Sequence, residues 1–176
     1  MSAEKRTMQD LIKMKTSELD AVFEAGTTPE FEQLAGWEFR GYNHPGFTRV
    51  LGFQKFTKGF FQKDGQPFGY NVPIKQNGAD NPWIAKPSDE TPKRYGFYSV
   101  KAYQADDEDA AHPHALFLDY GDGDNPLQTF TWVLRDYLVQ IDPENPDLYL
   151  GRAYVRVGPI KTMGSYFILE RHRQAP

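Results

Sequence analysis

The chain has 176 residues, no cysteine and a formal charge of −4. Disulfide scaffolds, thiolate metal sites and cysteine nucleophiles are thereby excluded, and the acidic balance counts against a protein built to hold nucleic-acid phosphates. Its 13 Phe, 10 Tyr and 3 Trp favour pleated surfaces and so lean towards β structure, at a length that suits one domain with a sizeable core.

At the N-terminus Met8, Leu11, Ile12, Met14, Leu19 and then Val22 and Phe23 fall at helical spacing. This predicts one amphipathic helix ending at Gly26, a segment 1–26 distinct from the domain 27–176. Such a helix would either lid a barrel or cover an exposed sheet edge. No continuous apolar core marks a secretory signal, and no stretch approaches the roughly 20 apolar residues of a membrane helix. A soluble, cytoplasmic protein without membrane insertion is the expectation.

Thr27-Thr28-Pro29-Glu30 reads as a helix start, giving a short helix from Pro29 to Leu34 that stops at Gly36. Trp37, Phe39 and Gly41 then alternate with Glu38, Arg40 and Tyr42, so Trp37 and Phe39 are expected to face inward. Asn43-His44-Pro45-Gly46 breaks this strand, and Phe47 to Leu51 reads as a helical turn. Asp64-Gly65 between two aromatic, extended runs predicts a hairpin. The Pro-rich stretch 77–93 reads as a long loop in which Trp83 either caps a cavity mouth or pins the loop to the wall. Arg94 to Gln104 and Ala115 to Tyr120 read as strands, with the acidic run 106–109 as a solvated tip. Thr129 to Ile141 reads as one long strand whose apolar parity switches at Arg135-Asp136, which predicts a bulge or bend. Leu148 to Val157 and Ser165 to His172 complete a set of about eight or nine strands, the pattern of a single antiparallel β-barrel with one or two N-terminal helices.

A short helix before Gly36-Trp37, an Asp136-Tyr137 pair near a strand bend and Arg171 in a closing Phe-Ile-Leu-Glu-Arg run together resemble the lipocalin-like, or calycin, barrels. With Asn43-His44-Pro45, the pattern is closer to the bacterial lipocalin-like domains of the GXWXG type. Gly36 lies directly before Trp37 here, and Arg135 precedes Asp136 where the lipocalin pattern has Thr. The resemblance implies a barrel closed by a cation–π stack of Arg171 on Trp37, with Asp136 assigned to the same closure.

Chemistry is sparsely signalled. His112-Pro113-His114 and Asp122-Gly123-Asp124-Asn125 carry fragments of metal-site patterns without the remaining ligands, and neither a nucleophile elbow nor a phosphate-binding loop is present. No cofactor and no metal is therefore assigned. Asp136 reads either as a carboxylate satisfying the backbone of the bend or as a buried acid in a cavity. Arg152 and Tyr154 would clamp a carboxylate if their parity faced inward and would be solvated if it faced outward. The expected cavity lining is Phe39, Phe56, Tyr70, Phe97, Trp132, Tyr137, Arg152 and Tyr154. The leading expectation is an intracellular binding protein for a small apolar or amphipathic ligand held in the barrel. An isomerase or hydrolase using Asp136, His44 or a cavity tyrosine is the alternative, as is a filled-barrel interaction module. A homodimer fits any of these.

Overall fold

Alternating side chains from Trp37 onward sort into an inward and an outward set, and the strands close on themselves to bury the inward one. The computed structural model describes residues 5–44, 52–106, 111–162 and 164–176. The acidic residues 107–109 and the expected turn at 47–51 lie outside them. Eight strands form the barrel: β1 (Trp37–Asn43), β2 (Lys55–Lys63), β3 (Gln66–Pro73), β4 (Tyr95–Lys101), β5 (Leu116–Asp119), β6 (Leu134–Gln140), β7 (Leu148–Val157) and β9 (Tyr166–Gln174). All neighbours are antiparallel. β9 returns between β7 and β1, and the pairing of β6 with β7 closes the ring. A ninth strand, β8 (Ile160–Thr162), extends β7 as a hairpin. Closure leaves the barrel strands without a free edge. The β2–β3 turn has Asp64 and Gly65 at φ 51° and 76°, the left-handed pair that a two-residue hairpin requires.

Two predicted elements differ. The N-terminal helix is two helices, α1 (Met8–Lys13) and α2 (Thr16–Glu24), because each has its own start signal. The backbone N–H of Thr7 donates to Asp10 at 2.8 Å, and that of Lys15 donates to Glu18 at 2.7 Å. These helices neither lid the barrel nor cover an edge. Met8, Leu11, Leu19, Val22 and Phe23 pack on the outer face of β7 and β9, against Leu148, Leu150, Tyr166 and Ile168. Leu11, Leu19 and Phe23 are fully buried there, each worth about 1.5–3 kcal/mol in apolar burial. His44 fixes the break between the helices, its Nε2 lying 2.7 Å from the Met14 carbonyl oxygen. His112 and His114 hold the other end, edge-on to Phe23 with ring centroids at 5.0 and 5.6 Å.

The second difference is the long strand expected over Thr129 to Ile141. Residues Leu127–Thr129 and Thr131–Val133 form 3-10 turns about Phe130, which sits at φ 55°, and β6 begins only at Leu134. Of the two predicted options, the break is thus a bend at a turn-to-strand junction and not a bulge. Within β6 the alternation is uninterrupted, with Leu134, Asp136 and Leu138 facing inward.

The inside of the barrel has two halves. A third helix, α3 (Phe31–Leu34), seals one end by burying Phe31 and Leu34 against Phe39, Phe60, Tyr98, Leu118, Leu138, Tyr149 and Leu169. Phe39 meets Phe60 and Tyr149 edge to face at 5.7 and 5.5 Å, so this half is solid. Beneath it Arg171 lies over the Trp37 ring, its Cζ 4.5 Å from the centroid. The same guanidinium donates to Asp147 Oδ1 at 2.7 Å and to the carbonyls of Pro146 and Gln33 at 2.8 and 2.9 Å. The other half of the barrel is open.

The long loop 74–94 lies along the outer wall. Lys55 organises it by donating from Nζ to Asn77 Oδ1 and the Asn81 carbonyl, both at 2.7 Å, and lies 3.9 Å from the Trp83 ring centroid. Trp83 Nε1 donates to the Phe56 carbonyl at 3.2 Å, so this residue pins the loop to the wall.

Two histidines make the fold pH-sensitive. Burial, reinforced by Arg152, pushes the His112 imidazole below its ordinary value of 6.5, and burial with Arg173 and Arg40 does the same to His172. A folded chain that binds these protons less readily than the unfolded one keeps its full stability above 6.5 and loses it as pH falls. The urea midpoint is expected to drop between pH about 7.5 and about 5.5, and less so in His112→Phe. A midpoint that rises or stays fixed at the lower pH contradicts this.

Candidate functional site

The open half of the barrel holds a cavity of ≈ 210 Å³. Its walls are Phe56 from β2, Leu134 from β6, Ala153 from β7, Phe167 from β9 and Tyr95 from β4, with Pro73 and Ile74 towards the mouth. Two close approaches shape it. A Cβ on Gly41 would come within 2.4 Å of the Phe56 ring and one on Gly151 within 2.0 Å of the Phe167 ring, so only glycine lets these rings lie flat on the strands. The two rings meet edge to face at 5.9 Å.

Where the cavity meets the packed half, four polar side chains converge: Lys58, Asn71, Tyr120 and Asp136. Lys58 occupies the inward parity of β2 between Phe56 and Phe60, and it is 2% exposed; Asp136 faces it from β6 at 4%. Lys58 Nζ is 3.0 Å from Asp136 Oδ2, donates to Asn71 Oδ1 at 3.2 Å and donates to the Tyr120 hydroxyl oxygen. The Tyr120 hydroxyl donates to Asp136 Oδ2 at 3.0 Å and accepts from Asn71 Nδ2 at 3.1 Å. Asn71 Nδ2 also reaches the Gly96 carbonyl at 2.9 Å, which sets the orientation of the amide. Tyr98 lies beneath, with its ring centroid 4.5 Å from Lys58 Nζ.

Local structure holds each group. Tyr120 begins a 3-10 turn over Tyr120–Asp122, capped by Asp119, whose Oδ1 accepts the Gly121 N–H at 2.8 Å. Asn125 ties that turn to β4, accepting the Phe97 N–H at 2.8 Å and donating to the Phe97 and Tyr120 carbonyls. The segment Asp122-Gly123-Asp124-Asn125, with its fragment of a metal-site pattern, is thus a brace for Tyr120. Its carboxylates are matched by lysines, Asp122 with Lys101 and Asp124 with Lys63.

Burial dominates the electrostatics. It pushes the Lys58 amine below the ordinary lysine range, while the Asp136 charge pushes back. Burial together with the Asp136 charge holds the Tyr120 phenol well above its ordinary value, so this hydroxyl keeps its proton. The Lys58–Asp136 unit is electroneutral, whether drawn as an ion pair or as amine and acid.

Of the residues expected to line the cavity, Phe56 does so. Phe39 faces inward but is packed in the solid half. The others lie on the outer wall or at its rim: β3, β4 and β6 turn Tyr70, Phe97 and Tyr137 away from the interior, and β7 takes the outward of the two options for Arg152 and Tyr154. Tyr70 is outward, donating to Glu38 Oε1 at 2.9 Å, and Phe97 packs against the outer cluster. Trp132 lies in the 3-10 turn, its Nε1 donating to the Leu127 carbonyl at 3.2 Å. Tyr137 stacks on Phe117 at 5.2 Å on the outer face, with His112 edge-on. Arg152 and Tyr154 face α2: Tyr154 Oη is 3.2 Å from His112 Nε2, and Arg152 Nη1 is 4.0 Å from Asp20 Oδ1. No carboxylate clamp exists there, since Gly151 and Ala153 are the inward residues of β7. Trp37 and Arg171 stack at the sealed end. Asp136, grouped with them by resemblance, instead lies at the floor of the cavity, bound to Lys58.

Lys58, Asn71, Tyr120 and Phe167 belong to the site without having been singled out from the sequence. Lys58 carried a signal, being in phase with Phe56 and Phe60 on an otherwise apolar inward face. A larger groove of ≈ 590 Å³ lies on the outer surface beside Trp83, but Arg40 and Glu170 within it neutralise each other. Comparison with known protein families and with curated proteins finds no match to this chain. No helix among the described residues is long and apolar enough to cross a membrane.

Proposed function

We propose that this chain is a lipocalin-like binding protein whose barrel holds a small, uncharged amphipathic molecule. The observation that carries the reading is a buried lysine–carboxylate pair facing a cavity that Phe56, Phe167, Leu134 and Ala153 wall and that Lys55, Gln76 and Lys86 also border. Burying two charges in a barrel core destabilises it relative to apolar residues of similar volume, so a purely structural interior would lack them. At ≈ 210 Å³ the cavity lies below the ~300–1,000 Å³ of drug-sized sites, which favours a ligand of about one aromatic ring and a short substituent. Its ring would lie between Phe56, Phe167 and Leu134, and its polar end would reach Tyr120, Asn71 and Lys58. At the floor the Lys58 charge is already met by Asp136, so neutral carbonyl or hydroxyl groups fit there better than a carboxylate. The Trp37–Arg171 stack supports kinship with the bacterial GXWXG-type barrels, and a cysteine-free chain suits a cytoplasmic setting.

Native mass spectrometry of the freshly purified chain, with solvent extraction and identification of what is released, tests this. A stoichiometric neutral molecule of that size is expected. A clean apo mass that no panel of small neutral aromatics can change, or stoichiometric capture of a long-chain fatty acid, contradicts it.

A further inference from the structure

The polar floor of the cavity contains more chemistry than recognition requires. A neutral ligand needs hydrogen-bond donors and acceptors, of which Asn71 and Tyr120 supply part, but no nucleophile. The amine and the acid beside them are a nucleophile and a proton carrier in contact, with a phenol bridging both. We propose that Lys58 captures an aldehyde or ketone in the barrel as a reversible imine, with Asp136 and Tyr120 moving the protons. The proposal rests on the reading of the cavity as a ligand site and specifies its ligand class.

The geometry supports each step. Entry of an apolar ligand displaces water from the cavity, and a dry site favours the neutral Lys58 amine over the ammonium. The Lys58 ammonium proton passes to Asp136 over the existing 3.0 Å contact. The freed nitrogen lone pair then bonds to the carbonyl carbon. The carbonyl oxygen takes the Tyr120 proton, and Tyr120 is restored by the Asp136 acid that it already donates to. The Asp136 carboxylate next removes one proton from nitrogen, leaving a neutral carbinolamine. Returned through Tyr120, that proton expels the hydroxyl group as water, and the nitrogen lone pair closes the double bond. Amine, acid and carbonyl have become iminium, carboxylate and water, and no oxidant or reductant is consumed. The buried iminium keeps Asp136 as its counter-ion, so the charged product is no worse placed than the ammonium it replaces. Tyr98 and Phe167, whose ring centroids lie 4.5 and 5.3 Å from Nζ, offer the cation π faces.

The probe is benzaldehyde, incubated with the full chain at neutral pH and fixed with cyanoborohydride, followed by intact mass and peptide mapping. One adduct per chain is expected, heavier by the aldehyde less one oxygen atom and located on Lys58. Its rate should exceed that of the surface lysines, because burial holds the Lys58 amine below the ordinary lysine range. Benzyl alcohol should compete with it. In Lys58→Arg, and in the Lys58→Met/Asp136→Leu double variant, the adduct should vanish. Saturable, benzyl alcohol-competed binding of benzaldehyde, seen as a rise in melting temperature, without modification of Lys58 would overturn the imine while leaving the ligand site standing. Absence of both binding and adduct would sink the two readings together, and labelling spread evenly over surface lysines would also reject the assignment.

Discussion

Asp136→Leu alone is expected to cost about 3–5 kcal/mol of folding stability, and adding Lys58→Met to it should recover most of that loss. The reason is the asymmetry of buried charge. Removing Asp136 leaves the charge of Lys58, a residue that is 2% exposed, with only Asn71 and Tyr120 to accept from it, and neither carries charge. Removing both leaves Tyr120 and Asn71 bonded to each other at 3.1 Å and fills the interior with methylenes beside Phe56 and Phe167. Urea unfolding of the wild type, both single variants and the double variant gives the coupling directly. Additive losses would mean that the pair is not the unit that the structure shows. The double variant is also the useful reagent. A folded barrel that no longer binds a neutral ligand separates the function of the pair from its part in folding.

Arg171→Ala should be almost as damaging, at about 2–4 kcal/mol, since it removes three hydrogen bonds from a charged donor and the stack on Trp37 at one stroke. The guanidinium ties together three parts of the sealed end: the carbonyl of Gln33 in α3, Asp147 and Pro146 in the β6–β7 turn, and Trp37 on β1. Arg171→Lys should recover little, because one ammonium cannot reproduce a planar fork that bonds three oxygens while lying flat on an indole. Thermal unfolding checks both variants. Lysine restoring wild-type stability would show that charge alone suffices there. Ligand affinity should change less than stability in these variants, because the sealed end is separated from the cavity by the layer of Phe39, Phe60, Tyr98 and Tyr149.

The barrel was legible because its signals are local. Asp64-Gly65 dictates a two-residue turn, and Leu148 to Val157 announces a strand by alternation alone. The cavity was hidden because facing depends on closure, and a shift of one residue in parity exchanges wall for interior. Tyr70 and Tyr137 are aromatic enough to suit either side. They lie outside because Gly59 gives the Tyr70 ring its room and because α2 and the segment carrying His112 cover Tyr137. Phe130 shows a different failure: the aromatic and β-branched run Thr129 to Val133 promised a strand, but a left-handed residue divides it between two 3-10 turns. Asp136 was the polar residue that local reasoning could single out. Its partner Lys58 is 78 positions away in sequence, and no periodicity relates residues on β2 and β6 across a closed barrel.

The most direct test of the account is a ligand titration followed at the amides of Phe56, Asn71, Tyr120 and Phe167 by heteronuclear NMR, with benzyl alcohol and benzoate compared on the wild type. Saturable shifts at these four residues with the alcohol, far weaker ones with benzoate, and none in the Lys58→Met/Asp136→Leu variant are the predicted result. Shifts confined to the outer groove around Trp83, or equal response to the carboxylate, would contradict a neutral-ligand site at the Lys58–Asp136 floor.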